Sequence, residues 1–285
     1  MTPVLLLAFL FFFTQSPNAS APAPSRTASK VDAAWSVLHE GLDNKNSDKR
    51  SKAVHSLGLA PNNNKIEGIA EKALTDENVE VRVQAANALG QIGADPSRPK
   101  LKEALKDPDL KVVIASANAL YAMKDPAAYD VYYALLTGER KGPGLVKSQL
   151  DTLKDRKQLE ELMFQAGMGF VPFGGMGLEA WKTITRDDTS AIRAVAAERL
   201  AADPDPKTTE ALSKGCFDKK WRVRVGVVEA IAKRHDPALL QSVSELLYDE
   251  NDTVRYEAAA AVIAITTPGS PAAPQNKRRS SIPGN

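Results

Sequence analysis

The sequence is poor in the residues from which metal centres and disulfide frameworks are built. It has one cysteine, Cys216, and three histidines, His39, His55 and His235. One thiol cannot close an internal disulfide, and so few soft ligands leave no set for a structural zinc site. It also lacks an excess of charge: 37 Lys and Arg against 35 Asp and Glu give a net charge of +2. That balance argues against holding long nucleic acid by bulk electrostatics and excludes an acidic solvating tail. No alternating strand pattern of useful length occurs. The apolar run from Val4 to Phe13 would rise only about 15 Å as a helix, roughly half the thickness of a bilayer core. What remains is an ordinary globular composition, 43% apolar and 25% charged over 285 residues, whose stability must come from packing.

The two ends read differently from the middle. The Val4–Phe13 run is followed by Thr14-Gln15-Ser16-Pro17 and the small residues Ala19-Ser20-Ala21, the pattern of a secretory signal peptide over residues 1–21. This implies export to a periplasmic or secreted location; an uncleaved membrane anchor is the alternative. Residues 22–30 and 267–285 are rich in Pro, Ser, Ala and Gly, and read as a linker and a tail that cannot bury enough to order themselves. The tail carries Lys277-Arg278-Arg279, read as a solubility feature.

Between the ends the sequence repeats. Asp76, Asp107, Gly138, Asp187, Asp218 and Asp249 close similar tripeptides, with steps of 31, 31, 49, 31 and 31 residues. Six residues after each aspartate stands an arginine, at Arg82, Arg193, Arg224 and Arg255, with Val113 in one unit. A helix then follows whose small apolar residues share one stripe: Val81, Ala85, Ala88 and Leu89 in one unit, Val112, Ala115, Ala119 and Leu120 in the next. Further along come Ile192, Ala196 and Leu200, then Val223, Val227, Ala230 and Ile231, then Val254, Ala258, Ala261 and Val262. A weaker copy at Arg50, Ala53, Val54, Leu57 and Gly58 precedes them. The preceding half of each unit is helical too, and Asp-Pro breakers separate units at Asp95-Pro96, Asp125-Pro126, Asp203-Pro204 and Asp236-Pro237. Each unit is therefore helix, Asp-containing turn, helix. One unit cannot bury its apolar face alone, so neighbours must stack. About seven units over residues 31–266 are expected, the weakly matching terminal ones acting as caps.

The Asp in the turn and the Val-Arg opening the second helix, as in Asp76…Val81-Arg82, Asp218…Val223-Arg224 and Asp249…Val254-Arg255, resemble the HEAT repeats. The resemblance is to the short thirty-residue class called bilin-lyase-type HEAT-like repeats, and it covers about Val31 to Ile265. It implies an all-α fold, a right-handed α-solenoid of helix-turn-helix repeats, and a scaffold that binds a partner protein. The Asp and Arg series (Asp76, Arg82, Asp107, Asp187, Arg193, Asp218, Arg224, Asp249, Arg255) is read as a structural ladder, with Asp capping the second helix and Arg reaching a neighbouring Asp.

The 49-residue step inserts 18 residues, placing an irregular segment at about 138–177. Within it, Gly167 to Gly177 holds five glycines, two methionines and two phenylalanines, and no charge. Phe170, Val171, Phe173 and Met176, with Trp181 on the helix that follows, are the candidate partner-binding residues; a membrane surface or a small molecule is the alternative ligand. The same side chains would otherwise seal the break against the solenoid.

Enzyme readings fail on the residues. HEAT-fold metal hydroxylases carry several His-Glu pairs, and here only His39-Glu40 matches, so no metal or other cofactor is expected. Ser/His/Asp or Cys/His catalysis has no elbow motif to rest on. Lys219-Lys220-Trp221-Arg222 places basic groups around an aromatic, as HEAT-like DNA glycosylases do, but Val223 and Arg224 belong to core and ladder, and no nucleic-acid partner is expected. Cys216 is expected to be a small buried hydrophobe.

Overall fold

The computed structural model describes residues 25–131 and 206–268, with positions 190, 194, 197, 200, 201 and 203 between them. The described residues form ten α-helices and four 3-10 turns, with no strand. None of these helices is long and apolar enough to cross a membrane.

The helices alternate between two layers. The first helices of the units are α1 (Arg26–Leu42), α3 (Asn64–Ala73), α5 (Arg98–Ala104), α7 (Pro206–Gly215) and α9 (Leu240–Glu245). The second helices are α2 (Ser47–Ser56), α4 (Val79–Ile92), α6 (Leu110–Ala122), α8 (Trp221–Arg234) and α10 (Asp252–Thr266). Each first helix packs on the second helix of its own unit, and the second helices pack on one another in a row. The stripes of α4, α6, α8 and α10 are buried as their spacing requires. These helices are buried further round than one stripe: Val83, Ala86 and Asn87 of α4 and Val225 and Val228 of α8 are inside as well, because each is flanked by neighbouring units and by its own first helix.

One boundary and one core position differ from the sequence reading. Helix α1 starts at Arg26, inside the stretch expected to be linker, because the Ser25 side chain accepts from the Ala28 amide and caps it. Leu200, placed on a core stripe, is only half-buried, whereas Ala194 and Ala197 are inside. Ala194 lies where a Cβ on Gly226 of α8 would fall 2.8 Å from its backbone oxygen, so the helices meet through their smallest residues.

The order of the row is not the order of the chain. It runs α8, α10, α2, α4, α6, so the C-terminal unit stacks directly on the N-terminal one. Helix α10 is buried at every residue from Tyr256 to Ala264 because α1, α2, α8 and α9 all pack on it. Gly41 of α1 makes the joint possible: a Cβ there would lie 2.7 Å from the Tyr256 ring and 2.6 Å from Ala53 Cβ. Lys49 to Asp252 (3.4 Å), Asn63 Nδ2 to Thr267 Oγ1 (3.2 Å) and a hydrogen bond from Lys30 to Gln241 close its edges. The terminal units therefore do not cap the stack as expected; they cover each other, and the apolar faces that caps would have had to hide are spent on this joint.

Candidate functional site

The recurring Asp and Arg form a ladder along the turn edge of the stack. Arg50 donates from Nε and Nη2 to both oxygens of Asp76 (3.0 and 2.9 Å) and from Nη1 to the backbone oxygens of Asn44 and Lys45. Arg82 repeats the pattern, with Nε and Nη2 on Asp107 (2.7 and 3.0 Å) and Nη1 on the Asp76 backbone oxygen (3.0 Å). Arg224 donates from Nη2 to Asp249 (2.8 Å) and from Nη1 to the Asp218 backbone oxygen (2.8 Å), with Nε 2.7 Å from the other Asp249 oxygen as an ion pair. Each arginine thus clamps its own turn and the aspartate of the next unit, and at Arg50 and Arg82 the contact is bidentate, which fixes geometry as well as adding charge attraction.

The aspartates are not the helix caps they were expected to be. The caps stand two residues later: the side chains of Asn78, Asp109 and Asn251 accept the first amides of α4, α6 and α10, as Asn46 does for α2. Asp76 Oδ1 instead accepts from the Asn78 amide (2.8 Å), and Asp107, Asp218 and Asp249 hold the amides of Asp109, Lys220 and Asn251 in the same way. A two-residue turn separates the ladder carboxylate from the cap, so both jobs are done side by side. Burial pushes the Asp76 carboxyl up, but the Arg50 hydrogen bond, the Asn78 amide and the charges of Arg50 and Arg82 outweigh it and hold the carboxyl below the usual range.

Arg255 ends this run of rungs differently. The turn position it faces across the joint is Asn44, which accepts the Asn46 amide on its side chain (3.0 Å) as the aspartates do but carries no charge. Arg255 pairs with Asp252 of its own helix (2.9 Å) and with Glu40 of α1 (3.2 Å).

The opposite edge has a second clamp that the sequence reading took only for breakers. Asp125 accepts the Ala127 amide (3.0 Å) and pairs with Lys102 (2.9 Å), while Arg98 donates to the Met123 backbone oxygen (2.6 Å). Arg234, itself buried, donates to the backbone oxygen of Asp203, and Asp236 accepts from Thr209 Oγ1 (2.8 Å). The recurrence of Asp-Pro was the available signal; the bases that meet it stand upstream, Arg98 and Lys102 for Asp125 and Arg234 for Asp236.

Between α3 and α5 lies a groove of about 820 Å³, within the size range of ligand pockets. Gly68, Leu74, Thr75 and Pro108 line it together with Glu71, Lys72, Lys100, Glu103 and Lys106, and the rung Arg82–Asp107 closes one side. Of its acidic groups, Asp76 and Asp107 are held by the ladder, Glu71 shares the single Ser97 hydroxyl with Glu67 (2.7 Å each), and Glu103 lies 3.8 Å from Lys100. Lys72 and Lys106 form no ion pair with any described residue. Gly68 sits mid-helix, where glycine costs about 1 kcal/mol relative to alanine. A Cβ there would meet nothing within 4 Å, so nothing described inside the molecule requires its absence.

Asp187 and Arg193 of the expected ladder, and the candidate partner-binding residues Phe170, Val171, Phe173, Met176 and Trp181, lie outside the described residues. So do the signal segment, the insert and the basic tail cluster. His39 is half-exposed beside Trp35, ring centroids 5.9 Å apart, and His55 is bonded to Gln84 (3.0 Å). Cys216 is buried, and burial first, then the nearby Glu245 charge, pushes its thiol up to about 12. No three His, Cys, Asp or Glu converge among the described residues.

A family model described as HEAT repeats matches residues 66–142 and 178–264, more than half of the chain. No curated protein matches at a significant level.

Proposed function

Because the chain belongs to the HEAT-repeat family, we propose that it is an exported, noncatalytic scaffold that holds a partner protein. The fold is a helical repeat scaffold of the kind that often mediates protein interactions. The observation that carries the reading is the clamped stack itself: bidentate Arg–Asp rungs at 2.7–3.0 Å on either side of the α3–α5 groove fix the spacing of successive surfaces. A surface held rigid before binding loses less entropy on association. Export rests on the Val4–Phe13 signal pattern, and the second contact is assigned to the uncharged 167–177 stretch on its composition.

The test is affinity capture from native extracytoplasmic extract, using the intact chain beside a variant in which residues 167–177 are replaced by a polar linker of equal length. One protein enriched by the intact form alone supports the scaffold and locates its contact at the stretch. The same protein on both moves the contact to the repeat surface. Empty captures, with the chain floating alongside lipid vesicles, would replace this reading by peripheral membrane attachment. Mass spectrometry of the secreted chain reads the new N-terminus, expected after residue 21.

A further inference from the structure

The second helices meet along seams whose two sides the repeat defines: five residues after the ladder arginine on one helix, two residues after it on the next. Between α2 and α4 these positions are His55 and Gln84, joined at 3.0 Å. Between α4 and α6 they are Asn87 and Ala115, the latter following Val113. Between α8 and α10 they are Glu229 and Glu257, at 7% and 2% exposure. Glu257 Oε2 is buried with no hydrogen-bond partner among the described residues. Burial first, then the charge of Glu229, raises the Glu257 carboxyl well above its ordinary value.

The cations of the helices packed on α10 are held elsewhere. On α10 itself Arg255 meets Glu40 and Asp252. On α2, Lys49 pairs with Asp252, Arg50 with Asp76 and Lys52 with Asp48, and His55 is bonded to Gln84. On α8, Arg224 and Arg234 meet Asp249 and Asp236, and Arg222 lies over the Trp221 ring. His235, which ends α8, is bonded to the Lys233 backbone oxygen. On α1, Lys30 is bonded to Gln241 and His39 lies 3.9 Å from Asp43. Helix α9 brings Glu245, which accepts from Gln241. Arg26, Asp32 and Lys233 are exposed.

We propose that Glu229 and Glu257 hold one proton between them and thereby keep the α7–α8 unit against the α9–α10 unit, and that the two units part as pH rises and the proton leaves to water. Two ionised carboxylates facing each other in a buried seam lose their hydration and repel, and parting the helices restores the water. The contribution of the shared proton is complete below the ordinary carboxylate range and is lost as pH rises through the raised value of the closed form. Between those limits the open form gains about tenfold per pH unit. This joint adds to the scaffold reading and holds whatever partner the chain binds.

Cys216 reports on the seam. It is the only cysteine of the chain, fully buried just after α7, and close enough to Glu245 of α9 for that charge to act on its thiol. The full-length chain is labelled with N-ethylmaleimide and followed by mass. Dividing the rate by that of the urea-unfolded chain at the same pH removes the ionisation of an accessible thiol. The expected ratio rises at least tenfold from pH 5 to pH 7 with helicity by circular dichroism unchanged, and Glu257→Gln makes it flat. A ratio independent of pH, a rise that survives in Glu257→Gln, or a rise accompanied by lost helicity overturns the proposal. Where Glu257→Gln does not fold, carbon-13 NMR of the unaltered chain labelled at its glutamate carboxyls decides. One carboxyl should titrate well above the ordinary range, and the absence of such a carboxyl overturns the proposal as well.

Discussion

A few residues hold conformations or charges that the surrounding fold imposes on them. Gly93, Lys124 and His235 end α4, α6 and α8 in the left-handed region, with φ of 66°, 59° and 50°. Only glycine adopts that region without a clash between Cβ and the following carbonyl, worth about 1 kcal/mol or more. Lys124 is exposed, so Lys124→Gly should stabilise the chain by about 1 kcal/mol and raise Tm by about 2–4 °C; Gly93→Ala should lower it by as much. Differential scanning calorimetry checks both. Glu257 is buried at 2% exposure. Burial, and then the charge of Glu229 on the facing helix, raises its carboxyl well above the ordinary value. A carboxyl whose folded value is raised contributes most at low pH, and its contribution is lost as pH rises through that folded value. Glu257→Gln should therefore raise Tm at pH 8, where the carboxyl's charge is costly, and change it little at pH 5; melting curves at the two pH values decide. Neither feature was legible beforehand. His235-Asp236-Pro237 reads as a breaker whatever the sign of φ, and a glutamate in an alanine-rich helix looks solvent-facing until a second helix covers it.

At the scale of helices and turns, the unit of cohesion is the rung. Arg82 and Asp107 are 12% and 10% exposed, so removing one partner strands the other's charge while removing both does not. Arg82→Ala alone should cost about 3–5 kcal/mol, and Arg82→Met with Asp107→Leu much less, in a urea-denaturation double-mutant cycle. The chain contains a natural example. The arginine position of α6 is Val113, fully buried, and 25 residues on, the spacing of Arg82 to Asp107, the aspartate is replaced by Gly138. Both halves of one rung are missing together, which is what the cost of a stranded charge demands. The 31-residue recurrence made the arginines and aspartates legible as a ladder, and the alanine stripes legible as second helices. The separation of cap from rung was not, because Asp, Asn and Ser are equally good caps on local chemistry and only the arginine's reach from the neighbouring unit distinguishes them.

Over the whole molecule the feature no local pattern announced is the placement of α10 beside α1. A 31-residue period orders units along the chain but says nothing about which of them meet when the row turns back. Four alanines in succession, Ala258 to Ala261, do leave that helix without a polar side, which is the trace the joint leaves in the sequence. Gly41→Val should place methyls inside the Tyr256 ring and detach the terminal unit. Hydrogen exchange would then show protection lost in α1 and α10 and kept in α4 and α6. The same adjacency makes the present termini an arbitrary choice of where this backbone is cut. Glu40 and Arg255 touch although 215 residues separate them. A rewired gene joining Pro268 to Ser25 through a short linker and opening the chain between 132 and 189 would turn this longest-range contact into a local one. Every described unit would then follow its spatial neighbour in translation order. The loop closed at the joint would shrink several-fold, lowering its entropic cost and the mean sequence separation of contacts. Such a permutant should refold faster than the parent in stopped-flow fluorescence, with its unfolding rate little changed.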